Sequence, residues 1–94
     1  MLTKENMKML RALANKERAL FQMGKDGISE NMINTVSDSL EAHELVKISL
    51  LKTAPIPTKE AAMEMAAATR SEIVQVIGHT FVLYRRSKKN KLGL

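Results

Sequence analysis

Several residue types are scarce or missing in this chain, and each absence excludes a class of protein. The 94 residues include no cysteine and no tryptophan. Without cysteine there is no disulfide framework, no thiolate nucleophile and no cysteine-based zinc or iron–sulfur site. No apolar run approaches the roughly 18 residues that a membrane-spanning helix needs, and residues 1–4 lead into an amphipathic stretch unlike a signal-peptide core. We therefore expect a cytoplasmic protein.

The remaining composition is that of one small basic domain. Hydrophobic residues make up 45% of the chain and charged residues 27%, which is ordinary for a globular protein. The net charge of +5 favours a polyanionic partner, of which nucleic acid is the commonest. Membrane-surface binding is disfavoured because the amphipathic basic stretch near the N-terminus has small apolar residues and no tryptophan anchor. We expect a folded domain over residues 1–86 and a basic, flexible tail over residues 87–94.

Hydrophobic periodicity predicts the element order αβαβαββ. Helical spacing covers residues 4–14, 29–43 and 59–69, the last with Thr58 as its cap. Alternating or β-branched runs cover residues 19–23 and 45–51, and two further runs at 72–77 and 80–85 flank Gly78 and His79 as a hairpin. Strands that alternate with helices predict an α/β (α+β) domain with a four-stranded mixed sheet and about three helices.

The motif with the clearest chemistry is Gly24-Lys25-Asp26-Gly27, between a predicted strand and a helix capped by Ser29. Glycines allow backbone N–H groups to approach a phosphate, and a lysine and a helix N-terminus both attract anions. A GxxG turn alone is a weak motif. The alternative is a tight turn whose glycines only permit positive φ.

Other basic residues form three candidate contacts. Lys4, Lys8 and Arg11 fall on one helix face, which is a secondary site or a solvated face. Lys47 projects from the opposite side of its strand to the apolar residues, toward a ligand or solvent. The segment 85–91 carries basic residues with no acid among them, which would either contact phosphates or keep the segment soluble: Arg85, Arg86, Lys88, Lys89 and Lys91.

Catalysis is not indicated. His43 and His79 are the only histidines, and neither has the spacing of a metal site or a general-base pair. The three aromatic residues lie in apolar strand runs and are predicted to pack in the core rather than to stack on bases. We expect no enzyme activity, no cofactor, no metal and no small-molecule substrate.

Four blocks together resemble a known family. They are residues 24–31 (GKDGISEN), 44–47 (ELVK), 74–78 (VQVIG) and 81–86 (FVLYRR). In this order and at these separations they are similar to the YhbY family, the stand-alone bacterial form of the CRM (chloroplast RNA splicing and ribosome maturation) domain. The resemblance covers almost the whole chain.

The resemblance implies a fold like that of the C-terminal domain of translation initiation factor 3. It also implies an RNA-binding protein that contacts precursor large-subunit ribosomal RNA in the pre-ribosomal particle. We expect the protein to be a monomer. Two residues depart from the family pattern. Asp26 stands where relatives usually have glycine and would partly repel a phosphate. Arg70 stands at an expected glycine C-cap, where we expect an effect on local stability more than on function. The alternative function is a basic module that binds an acidic protein partner.

Overall fold

The computed structural model describes residues 2–93. Three helices and four strands follow one another in the predicted order: α1 (Lys4–Lys16), β1 (Phe21–Met23), α2 (Glu30–His43), β2 (Leu45–Leu50), α3 (Thr58–Thr69), β3 (Glu72–Ile77) and β4 (Thr80–Tyr84). The α+β class is confirmed. Several ends differ from the sequence prediction by one or two residues. The helix α1 continues to Lys16, β1 has only three residues, and β2 and β4 each end one residue earlier than predicted.

The strands form one mixed sheet in the order β1-β2-β4-β3. β1 and β2 are parallel and are joined through α2, whereas β4 is antiparallel to both of its neighbours. Glu72 and Leu45 both pair with Tyr84, and Ile77 and Ser49 both pair with Thr80. Consequently β1, β2 and β3 run in the same direction, with β4 between β2 and β3 running the opposite way.

Apolar residues on both faces of the sheet are covered by helices. On one face α2 and α3 pack through Val36, Leu40 and Met65 against a cluster that includes Ile48 and Phe81. On the other face α1 packs through Leu10 and Ala14 against Val74, Val82 and Tyr84. The alternation in β2 is as predicted, because Val46, Ile48 and Leu50 are buried.

This topology gives the domain two distinct ends. Because α2 and α3 each run against the three co-directional strands, both helices begin at one end of the sheet and finish at the other. We call the first end the loop pole; it holds residues 24–27, the connector 51–57 and the turn at 78–79. We call the second end the tail pole; it holds the C-terminal ends of α2 and α3 and residues 85–93.

The third helix begins differently from the prediction. Thr58 is its first residue rather than its cap, and the N-cap is Pro57, which has no side chain able to accept a hydrogen bond from the helix. At the other end Arg70 is the C-cap, with φ of 56°. The expected left-handed conformation at Arg70 is therefore confirmed.

Candidate nucleic-acid interface

The GxxG turn is a hydrogen-bonded turn in which the two glycines have different roles. The Gly27 N–H donates to the Gly24 carbonyl at 3.0 Å. Gly27 has φ of 64°, and a Cβ there would lie 3.1 Å from Cγ of Pro55. Gly24 has no such constraint, because a Cβ would meet Leu51 Cδ1 at 3.7 Å, an ordinary contact. Conformation and packing thus require glycine only at position 27.

The tip of the turn presents one cation and one anion to solvent. Lys25 and Asp26 are both exposed. Behind them Ser29 caps α2, and its hydroxyl accepts from the Met32 N–H at 3.1 Å, so the predicted cap is confirmed. Capping satisfies one of the first N–H groups of the helix and leaves those of Glu30 and Asn31 without an intrahelical partner. The exposed lysine therefore lies before a helix end that carries partial positive charge.

The N-terminus of α3 adds to the same pole, which the sequence did not predict. Its uncapped start lies beside the connector, where Lys52 and Lys59 are exposed. A cavity of about 330 Å³ between the connector and the hairpin turn is lined in part by Lys52, Thr58 and His79. The loop pole thus combines the GxxG turn, two helix N-termini and several cations.

Lys47, which was expected to face a ligand or solvent, binds the protein itself. Its Nζ donates to the carbonyls of Ala14 and Glu17, both at 3.3 Å. Ala14 is in the last turn of α1, and its carbonyl also accepts from the Glu17 N–H at 3.0 Å. The lysine therefore fastens the end of α1 to β2, and an RNA contact at this residue stays a prediction.

Arg85 is likewise occupied within the fold. Its guanidinium donates to the Ser37 hydroxyl at 3.0 Å, the Ser37 carbonyl at 2.7 Å and the Thr69 carbonyl at 2.8 Å. It also forms an ion pair with Glu41 at 3.7 Å. These contacts tie α2 to the end of α3, and any RNA contact by Arg85 would compete with them.

The basic tail folds back on the domain through a buried carboxylate. Glu44 follows α2 in a left-handed conformation and is 0% exposed. Its two oxygens accept from the backbone N–H groups of Ser87 at 2.6 Å and Leu92 at 2.7 Å. Burial alone would raise the pKa of Glu44, but these hydrogen bonds outweigh it and hold the pKa below its usual range. Sequence patterning gave this residue no role.

Other tail contacts use the same helix. The Lys88 N–H donates to Glu41 Oε2 at 3.0 Å, and Lys91 Nζ donates to the Ala42 carbonyl. Ser87 is buried, so packing continues past the expected domain boundary at residue 86. The side chains of Arg86 and Lys88 are exposed at the tail pole. The mobility of the tail in solution stays a prediction.

The basic stripe on α1 is distant from the GxxG turn along the sheet. Lys4 and Lys8 are exposed, whereas Arg11 Nε donates to the Val74 carbonyl of β3 at 3.3 Å. The N-terminal end of α1 lies at the tail pole, where Asn6 borders a cavity with Tyr84. The structure therefore separates the predicted site residues into a loop-pole group and a tail-pole group.

Three further findings concern metal binding, membrane spanning and the aromatic residues. Among residues 2–93, no group of three or more histidine, aspartate or glutamate side chains is placed to hold a metal ion. In the same range, none of the helices is both long and apolar enough to cross a bilayer. Phe81 and Tyr84 are buried, as predicted for core aromatics.

Taken together, the fold and the loop pole define a small α+β domain with a GxxG turn and a basic surface. Comparison with known proteins places it in a family. Residues 2–85 match the model of the CRS1 / YhbY (CRM) domain, and the chain belongs to this family.

Individual relatives agree with this assignment over nearly the full length. The chain is 41% identical to "Probable RNA-binding protein YqeI" of Bacillus subtilis, covering 97% of this chain and 95% of the relative. It is 30% identical to "RNA-binding protein" of Haemophilus influenzae, covering 99% and 94%. The solution structure of SAV1595 from Staphylococcus aureus matches with a TM-score of 0.81 and 48% identity, over 98% of this chain and 96% of that one.

Proposed function

We propose that this chain is a non-catalytic RNA-binding protein of the cytoplasm, acting as a monomer, with an interface centred on the loop pole. The observation that carries the proposal is the exposed Lys25 at the tip of the GxxG turn, in front of the N-terminus of α2 and beside that of α3. The names of the relatives as RNA-binding proteins support the class of ligand. The specific ligand that we propose, from the resemblance to the YhbY family, is precursor large-subunit ribosomal RNA in a pre-ribosomal particle.

At this interface RNA is held mainly through its phosphates. Lys25 and Lys52 neutralise phosphate charge, and the N–H groups at the start of α2 donate to phosphate oxygens. Asp26 opposes the same charge. Because Phe81 and Tyr84 are buried, no aromatic platform on the sheet stacks bases through them. Recognition by phosphate position and RNA shape follows. Arg86 and Lys88 at the tail pole extend the contact for a longer RNA.

The test is a charge reversal at Lys25 with a matched reversal elsewhere. Lys25→Glu should weaken binding of a single-stranded RNA by about tenfold at low salt, because it removes one phosphate contact and adds a repulsive charge. Lys16→Glu makes the same charge change at the exposed end of α1 and should weaken RNA binding by less than about threefold. Fluorescence anisotropy gives both affinities, and thermal unfolding shows whether each variant is folded.

The salt dependence of the wild-type affinity checks the electrostatic part. If about four phosphates are engaged, the log–log slope should be near −3 for single-stranded RNA, and it should become shallower in Lys25→Glu. A salt-independent affinity, or equal losses in the two variants, would move the site away from the loop pole. Ultraviolet crosslinking in cells followed by sequencing identifies the RNA, and protein adducts without RNA would instead support an acidic protein partner.

A further inference from the structure

A cavity at the tail pole has the chemistry of a second anion site. It has a volume of about 380 Å³ and lies between the N-terminal end of α1, the start of β3 and the end of β4. Arg70, Arg85 and Arg86 line it with one carboxylate, Glu72, and with Tyr84. It is at the opposite end of the sheet from the GxxG turn.

The Tyr84 hydroxyl is the unusual group in this cavity. Tyr84 is only 5% exposed, and among the described residues no group accepts a hydrogen bond from its buried hydroxyl. Burial and the charge of Glu44 raise the pKa of Tyr84, and Arg86 opposes this only in part, through a hydrogen bond to the phenol and through its charge, so the phenol is protonated at neutral pH. A guanidinium donates but does not accept, so Arg86 leaves the phenol proton without an acceptor. Buried polar groups of this kind are rare and call for an explanation.

Arg70 supplies a second unused donor group. Its backbone is held at φ of 56°, a conformation that glycine adopts without strain. Within residues 2–93 its guanidinium has no hydrogen bond or ion pair. Arg85, in contrast, already donates to the Ser37 and Thr69 carbonyls. The cavity therefore contains an exposed guanidinium that no described protein group occupies and a buried phenol O–H that has no acceptor.

We propose that this cavity binds a phosphate group, with the Tyr84 hydroxyl and the Arg70 guanidinium as donors and Arg86 as further positive charge. Phosphate oxygens only accept, and a guanidinium can donate two parallel hydrogen bonds to them. Glu72 in the wall and Glu44 behind Tyr84 limit the positive charge, which suits one phosphate rather than a polyphosphate. This inference rests on the proposed function: the phosphate belongs to RNA, either at its 5′ end or within the strand.

The experiment uses Tyr84 as its own probe. The chain has one tyrosine and no tryptophan, so intrinsic fluorescence reports on this residue alone. Inorganic phosphate should change the fluorescence of the wild type. Arg70→Ala should need about ten times more phosphate for the same change, a difference of about 1.4 kcal/mol. Arg18→Ala removes an exposed arginine outside the cavity and should stay within about twofold of the wild type.

A short oligoribonucleotide with and without a 5′-phosphate then separates the two sources. A preference for the phosphorylated form that disappears in Arg70→Ala assigns the cavity to the RNA end. Equal binding of both forms, with a similar loss for both in Arg70→Ala, assigns it to an internal phosphodiester.

Tyr84→Phe distinguishes binding from a structural role. Because the phenol proton has no acceptor in the fold, the variant should unfold at the same temperature as the wild type or higher. Calorimetry should show phosphate bound about threefold more weakly. A lower unfolding temperature with unchanged phosphate affinity would overturn the proposal, as would equal losses in Arg70→Ala and Arg18→Ala. A wild type that binds phosphate but no RNA would refute the proposed function and leave the cavity site standing.

Discussion

Replacing Glu44 with glutamine should destabilise the domain by about 3 kcal/mol, although the two side chains have the same shape. The carboxylate is fully buried and accepts from two backbone N–H groups at 2.6 and 2.7 Å. Glutamine keeps one oxygen but places an NH₂ group against the other N–H. One charge-assisted hydrogen bond is worth about 1.5–3 kcal/mol, and an unsatisfied buried donor costs about 1–3 kcal/mol. Removing a costly buried charge offsets part of this sum.

Urea denaturation followed by circular dichroism measures the loss of unfolding free energy. In a thermal melt the same loss should lower the midpoint by about 12–24 °C for a domain of this size. Glu41→Gln is the matched control, one turn earlier in α2. Glu41 also accepts from a tail N–H and pairs with Arg85, but its side chain is 49% exposed. Glu41→Gln should therefore lower the free energy of unfolding by less than about 1 kcal/mol. A Glu44→Gln variant within about 0.5 kcal/mol of the wild type would refute the reasoning, because surface changes have effects of that size.

Three further predictions concern other parts of the fold. The pKa of Glu44 in the folded state is below its usual value of 4.5, so its contribution to the free energy of unfolding is complete above pH 4.5 and is lost as the pH falls below that value. Urea denaturation at a series of pH values should therefore show a smaller loss of stability in acid for Glu44→Gln than for the wild type. Gly27→Ala should destabilise by about 1–2 kcal/mol through its left-handed backbone, whereas Gly24→Ala should be within about 0.5 kcal/mol, and equal losses would contradict this. Arg85→Ala should cost about 2–4 kcal/mol in urea unfolding, and a neutral result would mean that its bonds to α2 and α3 do not hold the helices together.

The sequence was sufficient where local rules decide the structure. Helical and strand periodicity predicted seven elements in the right order, and Ser29 was predicted correctly as a cap. These features depend on residues within a few positions of one another, so a pattern in one segment is enough to indicate them.

The roles of the charged residues were not predictable in the same way. Glu44 and Ser87 are 43 residues apart, and Arg85 and Ser37 are 48 apart. A glutamate beside a strand and an arginine in a basic run both suggest solvent exposure when their distant partners are unknown. For the same reason the sequence does not decide whether Lys47 faces a ligand or solvent, since its partners lie at the end of α1. The convergence of two helix N-termini at the loop pole follows from the strand order, which no local pattern specifies.

The strand order also has a consequence for synthesis of the protein. β4 is the last strand in the chain, yet it lies between β2 and β3 and is the only link between them in the sheet. A nascent chain that ends before residue 80 therefore holds two halves of a sheet with no hydrogen bonds joining them. We expect the domain to fold in one late step, after β4 has left the ribosomal tunnel, rather than progressively from its N-terminus.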